Sequence, residues 1–286
     1  MSESPAHVRT AAPPGRSPAA ISAEGVSKVF RRGSAEVRAL DSVDLEVGEG
    51  EFIAVLGPSG CGKSTLMRLC AGLLPATTGR IAVSGVPVKG PHTDLGIVFQ
   101  AATLLDWRTV LGNVLLQVEM RGLDPAAYEG RARALLDAVG LGEFATAFPR
   151  ELSGGMKQRA AIVRALVHDP GILLMDEPFG ALDALTREQM RIDLEELWLA
   201  SRKTVMFITH SIDEAVLLAD RVVVMSPRPG RIERIIGIDQ PRPRGLEGRR
   251  AKGFAEVSDL ITGIFLDRGV LHGTRAAFSQ SLRAGA

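Results

Sequence analysis

No stretch of this 286-residue chain approaches the 18 or so consecutive apolar residues a membrane-spanning helix needs, which excludes an integral span by helix. The first 20 residues lack the compact apolar core of a secretory signal, so retention in the cytosol is expected. Cysteine is scarce: Cys61 and Cys70 are the only two, without metal-ligand spacing or bridging geometry, which excludes a disulfide framework and suits a reducing compartment. Net charge is also nearly absent. Lys and Arg total 34 against 33 Asp and Glu, leaving +1, and a general nucleic-acid binder would need an excess of phosphate-neutralising cations. Any anionic ligand must therefore be met by local groups. The hydrophobic fraction of 45% is ample for a core in one large or two small domains, and no internal repeat is present.

Residues 1–20 hold prolines, alanines and serines with few large apolar groups, and read as a flexible tail. From about Ile21 to Val47, alternation at Val43, Leu45 and Val47 and turn signals at Arg31-Arg32-Gly33-Ser34 and Gly48-Glu49-Gly50 predict antiparallel strands. Phe52–Leu56, Ile172–Met175 and Val205–Thr209 are unalternating apolar runs, as in strands buried on both faces of a parallel sheet. A mostly helical unit of about residues 101–158 is inserted between them, including a helix with Ala134, Leu135 and Ala138 on one side. Arg221–Met225 and Arg231–Ile238 flank the turn Pro227-Arg228-Pro229-Gly230 and predict an antiparallel edge pair. The core thus extends over 21–240. Residues 241–286 read as a C-terminal tail with a short amphipathic helix at Phe254–Leu266. The arginine-rich part of that tail is most simply solvated, with contact to anionic lipid or a partner's loops as the alternative.

Gly57-Pro58-Ser59-Gly60-Cys61-Gly62-Lys63-Ser64-Thr65 follows a buried-type strand and opens a helix with Leu66, Leu69, Cys70 and Leu73 on one apolar face. This is the pattern of a phosphate-binding loop. The glycines turn backbone N–H groups around a polyphosphate, the helix offers its positive end, Lys63 adds a mobile cation and Ser64 can ligate magnesium. Each buried run ends in polar chemistry, where parallel sheets bind their ligands. Asp176 is placed to hold magnesium and Glu177 to orient and deprotonate a water, unless both are solvated loop acids. His210 either donates to a terminal phosphate or is structural, and Gln100 either touches water and metal or is a surface amide. Ser153 caps a helix behind Gly154 and Gly155, a second anion-binding end that one nucleotide on the Gly57 loop has little room for. A second copy of the chain would bring its own Ser153 to the exposed side of that nucleotide.

In this order, Gly57–Thr65, Gln100, Leu152-Ser153-Gly154-Gly155, Ile172–Glu177, Ala181-Leu182-Asp183 and Thr209-His210, the chain resembles the nucleotide-binding subunits of ATP-binding cassette (ABC) transporters over about Ile21–Ile238. The resemblance implies an α/β P-loop NTPase with a mostly parallel central sheet, an N-terminal antiparallel β subdomain and an inserted helical subdomain. It implies ATP and Mg2+ as ligands, with Ser64, Gln100 and Asp176 at the metal, Glu177 as general base assisted by His210 and Lys63, and Phe30 stacked on adenine rather than packed in a core. It further implies a head-to-tail homodimer in which Asp183 lies at the interface and Ser153, Gly154 and Gly155 complete the partner's site. Leu152–Arg159 and Leu104-Leu105-Asp106-Trp107-Arg108-Thr109-Val110 are most similar to ATPases of bacterial importers for nitrate, sulfonates or taurine. For such subunits the implied partners are transmembrane permeases, met through Gln100 and Trp107, and indirectly a periplasmic or extracellular solute-binding protein. The implied place is the cytoplasmic face of the inner membrane, with no nucleic-acid partner. Asp106 stands where that group usually has proline, and Met156 where the wider family has glutamine. Two other readings are a soluble cassette ATPase of DNA repair or translation, which would carry long coiled-coil insertions or a second cassette, and a nucleotide switch without hydrolysis, which would not need Glu177 beside Asp176.

Overall fold

The computed structural model describes residues 19–33 and 35–271. Nearly all of the expected N-terminal tail and the last part of the C-terminal one lie outside these residues. In chain order the elements are β1 (Ala19–Arg32), β2 (Ala35–Gly48), β3 (Phe52–Leu56), α1 (Lys63–Cys70), β4 (Thr78–Val83), β5 (Val86–Pro87), β6 (Leu95–Val98), α2 (Val110–Met120), α3 (Pro125–Ala138), α4 (Gly154–Leu166), β7 (Ile172–Asp176), α5 (Ala184–Ser201), β8 (Thr204–Thr209), α6 (Ile212–Leu218), β9 (Arg221–Met225), β10 (Ile232–Gly237) and α7 (Lys252–Asp267). Strands β1, β2, β4 and β5 form an antiparallel sheet in the order β2-β1-β4-β5, and its first strand already starts at Ala19, inside the span read as tail.

The second sheet runs β10-β9-β3-β8-β7-β6, parallel except where β10 pairs antiparallel with β9 as the Pro227–Gly230 turn predicts. All residues of β3, β7, β8 and β9 are buried, which explains why their sequences do not alternate. Alternate residues feed two different cores. Ile53 and Val55 join α1 and the antiparallel sheet, whereas Phe52, Ala54 and Leu56 face α5, α6 and α7. A third core, built from Val110, Val114, Leu136, Ala160 and Val163, holds α2, α3 and the outer side of α4 together. Helix α4 also lies against β6. A Cβ at Gly96 would stand 2.5 Å from the Ala165 carbonyl oxygen, so only glycine lets helix and strand approach this closely.

Three local expectations are corrected. Helix α1 stops at Cys70 and Leu73 is exposed, because Gly72 turns left-handed (φ 71°) and a Cβ there would lie 1.8 Å from the Gly90 carbonyl oxygen. On α3 the buried side carries Ala132 and Leu136, with Val139 just beyond it, while Ala134 and Ala138 are exposed; spacing allows either stripe and α2 and α4 select one. The arginine-rich segment is solvated at Arg250 and Lys252 but not at Arg242 and Arg244. Arg244 is 3% exposed and donates to the carbonyls of Val216, Leu217 and Ala219 at the end of α6, satisfying acceptors that the helix leaves open. Arg242 stacks 4.2 Å from the Trp198 ring centroid. Glu195, buried on α5, accepts the N–H groups of Arg244 and Gly245.

Candidate functional site

The Gly57–Thr65 loop leaves β3 at its carboxyl end, and its glycines are sterically required. A Cβ at Gly57 would stand 2.9 Å from Cys61 Sγ and 3.1 Å from Met225 Cβ. Gly62 has φ 107°, and a Cβ there would lie 2.7 Å from Leu40 Cδ2 and 2.8 Å from the Ala39 carbonyl oxygen, so only glycine seats the loop against β2. Gly60 is left-handed as well, with φ 76°. Gly62 caps α1 without a side-chain acceptor, which leaves the first N–H groups of the helix directed into the loop. Pro58 is half-buried, Ser59 is exposed, and Thr65 is the third residue of α1.

Lys63 is buried, and its Nζ donates to the carbonyls of Gly57 (2.8 Å) and Pro58 (3.1 Å), 3.8 Å from Glu177 Oε1. Both of its strong contacts are to neutral carbonyls of its own loop, so the ammonium is held beside the nest rather than locked in a short ion pair. Ser64 Oγ donates to Asp176 Oδ1 at 2.8 Å. Burial raises the Asp176 pKa, and the Ser64 hydrogen bond opposes that shift. A hydroxyl and a buried carboxylate in contact are hard oxygen donors, the chemistry a small divalent cation requires. Glu177 adopts a left-handed φ of 45°, pinned where its N–H donates to the Ile208 carbonyl, and its Oε2 lies 3.2 Å from His210 Nδ1. A non-glycine residue in this region stores strain, and here it aims a carboxylate across the mouth of the loop. Gln100 joins them: a Cβ at Gly180 would lie 3.6 Å from Gln100 Nε2 and 3.8 Å from Glu177 Oε2.

The other predicted residues lie apart from this group. Ser153 caps α4, accepting the Met156 N–H, and is exposed with Gly154. Asp183 caps α5 through the Thr186 N–H, and hydrogen bonding by the Thr186 hydroxyl, then by that N–H, holds its carboxyl below the usual range. These two helix ends touch, since a Cβ at Gly155 would stand 2.5 Å from Thr186 Cγ2. Among the described residues no hydrogen bond or ion pair links Ser153 to Lys63, Asp176, Glu177 or His210. Phe30 is 40% exposed on β1 under the Lys28 ammonium, 5.2 Å from its ring centroid, so it is a surface platform and not a core aromatic. The Cys61 side chain turns into the core behind the loop, so it can serve a nucleotide only through its backbone, and burial pushes the thiol pKa up.

Several supporting residues escaped sequence reasoning. Gln158 is buried and donates to the Phe99 carbonyl, one residue before Gln100, and buried Arg164 donates to the carbonyls of Ala102 and Thr103 just after it. Buried Glu214 accepts from Thr209 Oγ1, which itself accepts the Ser211 N–H, and so grips both sides of His210. Nothing in the local pattern marks these polar residues as buried.

The chain matches the ABC transporter family over residues 40–180. It is 48% identical over 247 residues to an uncharacterized ABC transporter ATP-binding protein of Methanocaldococcus jannaschii, a match spanning 86% of this chain and 91% of that one. The chain belongs to the ATP-binding proteins of ABC transporters. The cassette is also 49% identical over 240 residues to the taurine import ATP-binding protein TauB of Rhizobium johnstonii, covering 83% of this chain and 90% of that protein. The dimeric structure of a bacterial ABC transporter cassette superposes with a TM-score of 0.69 at 32% identity, over 77% of this chain and all of the other. A dimeric post-hydrolysis state of that cassette, bound to ADP and phosphate, gives 0.68. The fold is therefore that of a P-loop NTPase and the protein is a cassette ATPase, which sets aside both the repair or translation reading and the non-hydrolysing switch. Among the described residues no helix is long and apolar enough to cross a membrane.

Proposed function

We propose that the cassette is the ATP-hydrolysing subunit of a bacterial importer for a small anionic or zwitterionic solute of the taurine, sulfonate or nitrate kind. The observation that carries the reading is the division of the site: Lys63, Ser64, Asp176, Glu177 and His210 gather at the ends of β3, β7 and β8, while Ser153, Gly154 and Asp183 stand exposed elsewhere on the same chain. Two copies arranged head to tail would close each nucleotide between the Gly57 loop of one and the Ser153 helix end of the other, with Asp183 at the seam.

Within that enclosure Phe30 offers the adenine a face, and the N–H groups from Gly57 to Thr65 hold the phosphates. Lys63 exchanges its carbonyl contacts for phosphate oxygens. Magnesium fits the oxygen donors of Ser64 and Asp176 with Gln100 beside them, and when bound it would neutralise phosphate charge. Glu177 Oε accepts a proton from the attacking water as the new P–O bond forms and the bond from the γ-phosphorus to ADP breaks, and His210 Nδ1 holds that carboxylate in line. Loss of the bridging phosphate lets the pair reopen. The motion would pass to permease subunits at the cytoplasmic face of the membrane through Gln100 and Trp107, which is 75% exposed. The solute-binding protein acts only through those subunits, and the similarity to taurine import proteins supports the solute class.

Glu177→Gln tests the scheme. The amide still orients water but cannot take its proton, so hydrolysis should fall by at least about 100-fold. With ATP and magnesium the variant should accumulate as a species of twice the 30.5 kDa chain mass in light scattering. A variant that stays monomeric, or hydrolyses at the native rate, would overturn the reading.

A further inference from the structure

The segment after β10 reaches back toward the site. Asp183 caps α5 and Ser211, next to His210, caps α6, so the starts of these two helices carry the two loops. Arg249 spans them. Both of its terminal nitrogens donate to Glu188 on the second turn of α5, each at 2.9 Å, and its Nε donates to Asp213 on the first turn of α6, also at 2.9 Å. A bidentate fork plus a third bond fixes a guanidinium in orientation as well as position. The backbone beneath it is held too: Arg191, buried on α5, donates to Glu188 and to the Gly245 carbonyl, and a Cβ at Gly248 would lie 2.7 Å from Leu217 Cδ2 on α6.

We infer that Arg249 is a positioning residue for ATP hydrolysis, fixing the α6 start that carries His210 relative to the α5 start that carries Asp183. The inference rests on the roles proposed above for those two residues. Stability alone does not account for the arrangement. Arg249 is 39% exposed, so its pairs to Glu188 and Asp213 are screened by solvent, and Glu188 keeps Arg191 when Arg249 is removed, whereas Asp213 loses its one ion-pair partner among the described residues. The effect of removal therefore falls on the His210 end. Among the described residues no hydrogen bond or ion pair links Arg249 to the Gly57–Thr65 loop, so affinity should be spared.

Arg249→Ala, Arg249→Lys, Asp213→Ala, the Arg249→Ala/Asp213→Ala pair and His210→Ala are compared in the full chain by steady-state hydrolysis, equilibrium binding of a fluorescent ATP analogue and thermal melting. Arg249→Ala should lower kcat by about 5- to 10-fold with affinity and melting temperature unchanged, since a small misplacement is enough to slow an oriented reaction. Arg249→Lys should recover part of the loss, and the double variant should fall no further than the worse single one. If His210→Ala is inactive while Arg249→Ala keeps the native kcat, or loses rate, affinity and melting temperature together, the inference fails and the reading of the site stands. If His210→Ala hydrolyses ATP at the native rate, the reading of the site fails and the inference with it.

Discussion

Asp176 shows what the site exacts from a single residue. Burial raises its pKa in the folded chain, so between the ordinary carboxylate value and the raised one the native state binds more protons than the unfolded state. Its contribution to stability is fully present below the ordinary value and is lost as pH rises through the folded value. Asn at this position keeps an oxygen to accept from the Ser64 hydroxyl and removes the charge. Asp176→Asn should therefore raise the melting temperature of the nucleotide-free protein by a few degrees near neutral pH, with the gain shrinking as the solution is acidified toward the ordinary carboxylate range. A gain that is the same at every pH would show that desolvation of the carboxylate is not its source. Magnesium-dependent nucleotide binding should be lost in the same variant. The strained backbone of Glu177 belongs to the same scale: a left-handed carboxylate residue next to a buried one is a local arrangement the fold must hold against its own preference.

At the scale of elements, the start of α4 separates folding from assembly. Gly154 and Gly155 are neighbours in sequence, yet a Cβ at Gly154 meets nothing within 4 Å while one at Gly155 would stand 2.5 Å from Thr186 Cγ2 on α5. Gly155→Ala should cost about 1–3 kcal/mol by overpacking the α4–α5 contact, read from urea denaturation. Gly154→Ala should leave that measurement within about 0.5 kcal/mol of the parent or slightly above it, because alanine restricts the unfolded chain without a clash. If a partner's nucleotide does approach this helix end, Gly154→Ala should nonetheless weaken the ATP-dependent dimer of the Glu177→Gln background in light scattering. A dimer as strong as before would count against the head-to-tail arrangement. Neither outcome follows from helix propensity, since both changes replace glycine at the same turn.

At the scale of the whole molecule, the segment from Gln240 onward closes the core that faces α5 and α6. Ile261 and Phe265 of α7 pack with Trp198, Val222 and Ile236, and Arg244 supplies donors to the end of α6. A chain ending at residue 239 would leave Glu195 buried without the N–H groups of Arg244 and Gly245 and without Arg242. An uncompensated buried charge costs about 3–5 kcal/mol, a large part of the roughly 5–15 kcal/mol that holds a folded domain together. That truncation should be insoluble or melt far below the full chain, and native melting would show that the segment is an appendage after all.

The phosphate loop, the Asp176-Glu177 pair, His210, the Ser153 cap and the two kinds of sheet were legible in the sequence, because each is written in residues a few positions apart whose backbone chemistry is local. The direction of the Cys61 thiol, the buried side of α3 and the burial of Arg242 and Arg244 were not. Those depend on partners far away in the chain, such as Met225 for the loop and Glu195 and the end of α6 for the arginines. Local pattern determined what chemistry this protein carries. Only the packing of distant elements decided which charged groups could be buried, since a buried arginine is stable only where folding brings acceptors to it.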